Sequence, residues 1–200
     1  MIMKFILGGY VMEKETKNTR VKIIQVATRL FMDNGYQSTS TRQIAQLAEV
    51  TQPNLYHHFK NKEEVYVGVI ESLLGDVNKE LVKIVGNPSL DTISKLQKFA
   101  ECLKTKHPFD FDLMMHDFRT NLAEETQMKL FSLWNSSYKA PLLNLFEESD
   151  FAMRNGLSPE IATTHFLNTL SPYIKTEQSN ASLSITRVVD LFVFGVSATK

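Results

Sequence analysis

Between Asn34 and Lys62 the chain punctuates itself into short helices, and few folds accept that pattern. Asn34-Gly35 is a stop, because glycine tolerates the left-handed conformation just past a helix end. Ser40-Thr41-Arg42-Gln43 has capping-box spacing: Ser40 caps the first free N–H groups, and Gln43, three residues on, reaches back. Ile44, Ala45, Leu47 and Ala48 give this second helix an apolar face. Glu49-Val50 forms a tight turn. Thr51 caps a third helix, with Pro53 in its first turn, where a missing N–H costs nothing. Leu55 and Phe59 share one of its faces. Asn61 then caps a fourth helix that runs from Asn61-Lys62-Glu63-Glu64 to about Val85.

Elsewhere apolar residues also recur at helical spacing, and alternating strands bounded by hairpin turns are absent. A first helix is predicted from about Lys17 to Asn34, with Ile23, Ile24, Ala27, Leu30 and Phe31 on one face. After Asn87-Pro88 a helix runs from about Leu90 to Lys106 and stops before His107-Pro108. A short helix covers about Phe109 to Arg119. A long one spans about Leu122 to Arg154, kinked at Pro141. Asn155-Gly156 ends it, Ser158-Pro159-Glu160 opens the next, and Lys175 to Ala181 is a polar loop. The last helix runs from about Ser182 to Ala198. Met1 to Met12 is mostly apolar, is broken by Gly8-Gly9, and lacks the basic region and cleavage site of a signal peptide. It is predicted to be a poorly ordered extension, with Met12 as an alternative start. No other stretch approaches the 18 or more apolar residues of a membrane span.

Two short helices joined by a tight turn can place the second in the major groove of DNA. The first turn of that helix must then reach base edges. Here it carries Gln52, Pro53 and Asn54. Gln and Asn can each pair bidentately with adenine, and Pro53 can pack on a thymine methyl. Thr41, Arg42, Tyr56, His58 and Lys62 carry donors suited to phosphates. Ile44, Leu47, Val50, Leu55 and Phe59 are expected to face inward. Charge agrees with this placement. The net charge is zero, yet residues 1–62 hold nine Lys/Arg against four Asp/Glu, and residues 63–200 hold thirteen against eighteen. Phosphate therefore attracts the front segment alone.

Thr19 to Lys62 resembles the TetR family of bacterial transcription regulators. The resemblance rests on Ile23, Ala27, Leu30-Phe31, Gly35-Tyr36, Ser40-Thr41-Arg42, Ile44-Ala45, Ala48, Val50, Leu55-Tyr56-His57-His58-Phe59 and Lys62-Glu63. It implies that Thr41, Arg42, Gln52, Pro53 and Asn54 contact bases or the groove, and that Tyr56, His58 and Lys62 contact phosphates. One position departs. Glu49 stands where the family usually has glycine in the turn, and a left-handed backbone there would be strained.

The fold class expected is all-α: an N-terminal three-helix helix-turn-helix DNA-binding domain (13–62, after the extension 1–12) and a helical effector-binding and dimerisation domain (63–200). The last helix is apolar nearly all round, too much for a terminal helix with one buried face. Phe166, Leu170, Val188, Val189, Phe192 and Val196 are expected to form a homodimer interface, which the resemblance also implies. A dimer presents two recognition helices to palindromic half-sites about 34–36 Å apart. Phe99, Cys102, Leu103, Phe111, Met114, Met115, Phe118, Trp134 and Tyr138 are rich in aromatics and methionine, which suit either an apolar core or an adaptable effector pocket; the resemblance points to the pocket.

Other chemistry is sparse. Asp112 and His116, with His107, Asp110 and Asp117 nearby, have the residue types of a metal site but read as a solvated polar face. Cys102 is the single cysteine and has no partner for a disulfide, which fits a reducing cytoplasm. No nucleotide fingerprint or assembled acid, base or nucleophile appears. The sequence therefore predicts a ligand-responsive DNA-binding regulator, a repressor released from its operator by a small apolar or amphipathic effector. It is expected to need no metal, cofactor or membrane and to have no enzymatic activity. The alternative is a small-molecule-binding or scaffold protein of the same fold without DNA binding.

Overall fold

The computed structural model describes the backbone of residues 2–106, 111–148, 153–174 and 184–196, and their side chains except at 2–17, 111–115 and 196. In chain order the elements are α1 (Ile2–Ser38), α2 (Thr41–Leu47), α3 (Gln52–His58), α4 (Lys62–Val85), α5 (Thr92–Lys106), α6 (Phe111–Thr120), α7 (Glu124–Trp134), a π-helical turn (Asn135–Lys139), α8 (Ala140–Glu148), α9 (Pro159–Ile174) and α10 (Ile185–Val196). The chain is all-α, as expected. No helix among the described residues is long and apolar enough to cross a membrane.

The helices form two compact units. The first comprises Met1–Ser72 and Asp112–Gln127; the second comprises Leu73–Phe111 and Met128–Lys200. The first unit thus extends past the boundary expected at residue 62 and takes in most of α6. The early turns of α4 explain the extension: Val65, Tyr66, Val67, Val69 and Ile70 are all buried. At Gly68 the approach is close enough that an added side chain would make its neighbours shift. A Cβ there would lie 2.8 Å from Ile24 Cδ1 and 3.2 Å from Phe59 Cε1.

α1 buries Ile23, Ile24, Ala27 and Phe31 as predicted, while Leu30 is half-buried. The backbone of residues 2–12, predicted to be a poorly ordered extension, is helical and continues α1. The predicted stop at Gly35 is a break inside α1, where φ is 80° and ψ 168°. Only glycine takes that conformation cheaply. Thr39 Oγ1 ties the break by donating to Leu30 O and Gly35 O. The capping box of α2 is complete, with Ser40 accepting from Gln43 N and Gln43 accepting from Ser40 N. Ile44, Ala45 and Ala48 are buried. Leu47, expected inward, is 59% exposed.

The second unit is built on α5, α8, α9 and α10. Phe166 on α9 meets Phe99 of α5 and Phe192 of α10 edge-on, with ring centroids 6.2 and 4.9 Å apart. Gln97 Nε2 donates to Asp190 Oδ1, joining α5 to α10. The long helix expected from Leu122 to Arg154 is interrupted. A π-helical turn at Asn135–Lys139 precedes Pro141. The cause is local. Proline has no N–H to offer the carbonyls one turn back, and its ring crowds them. Asn78 of α4 supplies the missing donor: its Nδ2 lies 2.9 Å from Ser137 O and 3.4 Å from Ser136 O. Removing that amide should leave the Ser136 and Ser137 carbonyls, of which the second bond is part-buried, without this donor. Asn78→Ala is therefore expected to lower stability by about 1 kcal/mol, read as a fall in the denaturant midpoint. A midpoint equal to that of the wild type would mean that water serves these carbonyls equally well.

Candidate nucleic-acid interface

The third helix presents its first turn as the sequence predicts. Thr51 Oγ1 accepts from Asn54 N at 3.3 Å, and Pro53 sits in the opening turn. Leu55 is fully buried and Phe59 is 1% exposed. With those two side chains fixed inward, Gln52, Pro53, Asn54, Tyr56 and His57 are exposed. The polar residues predicted to read bases and the apolar supports lie on different faces of one short helix.

Residues distant in sequence join this face. Thr41 opens α2, and its hydroxyl lies 3.0 Å from that of Tyr56. Arg42 beside it is exposed. The Arg20 guanidinium lies 4.9 Å from the centroid of the Phe59 ring, where the ring face attracts a cation. His58 is half-buried and edge-on to His57, with centroids 5.5 Å apart. Burial, then His57, then Arg20 hold its imidazole below the ordinary pKa. Asn61 Oδ1 accepts from Glu64 N at 2.7 Å and caps α4 as predicted.

Lys62 is placed differently from its exposed neighbours. It is half-buried, its Nζ donates to Tyr36 O at 2.9 Å, and it lies 4.0 Å over the Tyr36 ring. Burial pulls its pKa down, and the charge of Asp117 opposes that shift. Asp117 itself is only 3% exposed. It therefore does not stand on the solvated face expected for the acidic and histidine residues around it, although His116 is exposed. The side chain of Asp112 and residues His107 and Asp110 lie outside the described residues.

The turn between α2 and α3 is left-handed at Glu49, where φ is 52°. This is the position where the departure from glycine matters. Lys22 Nζ lies 2.5 Å from Glu49 Oε2, and the two side chains are 46% and 79% exposed. The hydrogen bond and charge of Lys22 hold the Glu49 carboxyl below its usual range. Neither Lys22 nor Asp117 carries a local sequence signal, because each acts on a residue far along the chain.

In the second unit, Phe99, Cys102, Leu103 and Tyr138 are buried. Trp134 is half-buried and edge-on to Tyr138, at 6.4 Å between centroids. Burial raises the Tyr138 hydroxyl, with a smaller contribution from Cys102. Phe118 is half-buried and belongs to the first unit. The side chains of Phe111, Met114 and Met115 lie outside the described residues. Of the expected dimer residues, Phe166, Leu170, Val188, Val189 and Phe192 are buried within the chain itself, and the Val196 side chain lies outside the described residues. Their burial has a simple cause. One face of α10 fills this chain's own core, and its opposite face leaves Leu191 63% and Phe194 73% exposed, as is Ile161 of α9 at 50%. Apolarity on both faces is what made the helix look surplus to a single core.

Residues 23–69 match the family model described as bacterial regulatory proteins, tetR family. Over 53 residues the chain is 43% identical to the HTH-type transcriptional regulator QacR of Staphylococcus aureus, covering 26% of this chain and 28% of QacR. Over 80 residues it is 38% identical to the HTH-type transcriptional regulator AcrR of Shigella flexneri, covering 38% of this chain and 37% of AcrR. The chain thus spans well under half the length of these relatives. A solved structure of AibR in complex with isovaleryl coenzyme A and operator DNA has a TM-score of 0.64 at 19% identity, over 90% of this chain and 98% of that one. That likeness is one of fold.

Two outcomes follow from the geometry. Glu49→Gly relieves a strained backbone and loses a solvent-exposed ion pair. It is expected to raise the melting temperature, and by more at high salt, which removes only the ion pair's share. A fall at every salt concentration would contradict this. For His58, a nearby phosphate favours the imidazolium that the free protein disfavours. DNA binding should then take up a proton. Affinity is expected to rise as pH falls from about 8 to 6, by at most about tenfold per unit, and His58→Gln should flatten the rise. Folding stability should move oppositely. The unfolded chain protonates first, so the depressed group costs stability as pH falls through about 6.5. A pH-independent affinity would remove His58 from the interface.

Proposed function

Since this chain belongs to the tetR family of bacterial regulatory proteins, we propose that it is a ligand-responsive repressor. It binds a palindromic operator as a homodimer and is released by a small apolar or amphipathic effector. The observation that carries this reading is the division of α3: Gln52, Pro53 and Asn54 exposed in its first turn, Leu55 and Phe59 sunk in the core behind them. Such a helix can be rigid and still offer base-reading groups. Gln52, Pro53 and Asn54 read bases, with Thr41 and Arg42 in the groove. Tyr56, His58 and Lys62 hold phosphates.

The exposed apolar residues Leu191, Phe194 and Ile161 support pairing through α9 and α10. The buried Phe99, Cys102, Leu103 and Tyr138, the half-buried Trp134, and the buried hydroxyl of Thr163, which has no partner among the described residues, support an effector that brings one polar group into an apolar site. Effector binding shifts α4, whose first residue is Lys62, and so changes the separation of the two recognition helices. Operator affinity falls because the effector prefers the non-binding arrangement. The protein acts in the cytoplasm, as a regulator rather than an enzyme.

Selection of bound sequences from random DNA tests this reading. The wild type should enrich a palindrome. Gln52→Ala should relax preference at one position in each half-site, by about 1–3 kcal/mol of discrimination. Arg42→Ala is expected to weaken binding to the selected site. No enrichment at moderate salt would favour instead a small-molecule-binding protein of the same fold.

A further inference from the structure

Asp117 is the only buried charged residue among the described ones. Its place follows from the break in α1. At Gly35 the helix leaves its register, and the Tyr36 N–H then donates to Asp117 Oδ2 at 2.7 Å, across 81 residues of sequence. Asp117 Oδ1 accepts from Asn121 Nδ2, also at 2.7 Å. Neither bond needs a full negative charge, since an amide oxygen accepts as well. The charge has another recipient.

Lys62 grips the other side of the same residue. Its ammonium donates to Tyr36 O and lies on the Tyr36 ring. Drawing an ammonium partly out of water is unfavourable. Three things offset it here: the carbonyl, the ring face and the through-space attraction of Asp117. Tyr36 is thus held by its N–H from Asp117 and by its carbonyl and ring from Lys62. Glu63, next in sequence, accepts from Ala123 N at 2.6 Å and holds the start of α7 to the same unit. An ammonium that donates to this carbonyl and sits on this ring has both contacts to give up when it turns to a phosphate.

We propose that Asp117 is a positioning residue that sets DNA affinity: it holds the Lys62 ammonium on Tyr36 in the DNA-free protein, in competition with the phosphate backbone. This rests on the reading of Lys62 as a phosphate contact. Asp117 lowers affinity by stabilising the unbound arrangement, and neutralising it releases Lys62 at smaller cost.

The test measures affinity for a mixed-sequence DNA duplex against salt concentration, using the full chain. Four proteins are compared: wild type, Asp117→Asn, Lys62→Met and the double variant. Asp117→Asn is expected to bind about fivefold tighter with an unchanged salt slope. Lys62→Met should flatten the slope by about one phosphate contact, and adding Asp117→Asn to it should give no further gain. A gain that persists without Lys62, or a loss in both backgrounds, would reduce Asp117 to a scaffold residue and overturn the proposal. An unchanged slope in Lys62→Met would show that Lys62 touches no phosphate. That result removes the proposal and its premise together, whereas a persistent gain removes the proposal alone. Should Asp117→Asn unfold, the wild type decides by NMR. The Lys62 side-chain methylene protons next to the ammonium should be shifted upfield by the Tyr36 ring in the free protein and lose that shift on DNA. A shift retained in the complex would overturn the proposal.

Discussion

The recognition helix has seven residues, Gln52–His58, and a helix of that length does not hold itself together in water. Its geometry depends on burying Leu55 and Phe59. Leu55 has no exposed surface, and Phe59 is closed over by Gly68 of α4 and by the Arg20 guanidinium. The base-reading role proposed for Gln52 and Asn54 presupposes this platform. A side chain at position 68 would press on Ile24 and Phe59 together, so glycine sits where α1, α4 and the end of α3 converge.

A second rule runs through both units. At two interruptions of a helix, a backbone group loses its partner and a side chain from a distant element replaces it. Gly35 frees the Tyr36 N–H, and Asp117 accepts it. Pro141 cannot serve the carbonyls of Ser136 and Ser137, and Asn78 donates to them. An unpaired buried backbone group costs about 1–3 kcal/mol, comparable with a large share of a domain's net stability of about 5–15 kcal/mol. The interruptions can persist because the replacements exist. Each replacement also ties a remote helix to the break, so the same residues that repair local defects carry the tertiary connections.

This explains which features the sequence discloses. Caps and stops are local, and they are legible: the Ser40 box, the Thr51 and Asn61 caps and the exposed first turn of α3 stand where their residue types require. The breaks at Gly35 and Pro141 are legible as breaks. Their partners are not, because Asp117 and Asn78 are ordinary polar residues on helices whose packing no local pattern fixes. Asp117 looked like part of a solvated acidic face for this reason. α10 misled in the opposite sense. Its apolarity predicts an interface, and it divides between two faces: Val188, Val189 and Phe192 fill this chain's core while Leu191 and Phe194 are exposed. Periodicity counts apolar faces; it does not say which is covered by the chain's own helices.

Glu49 shows how a departure from a family pattern is absorbed. The turn keeps its left-handed backbone, with φ at 52°, so the substitution did not remodel the motif. Glycine would adopt that conformation freely. Glutamate does so under strain but adds a carboxylate within reach of Lys22 on α1. The pair is exposed and screened by salt, so it offsets the strain only in part. It has another consequence for a DNA-binding unit. Lys22 belongs to the segment whose excess positive charge draws phosphate, and Glu49 neutralises part of that charge beside the turn. The substitution therefore trades backbone comfort and long-range attraction for an exposed ion-pair link between the first helix and the motif. In a unit whose third helix cannot stabilise itself, a link to the turn leading into that helix acts on the same constraint as Leu55 and Phe59, and more weakly, since it is exposed and they are buried.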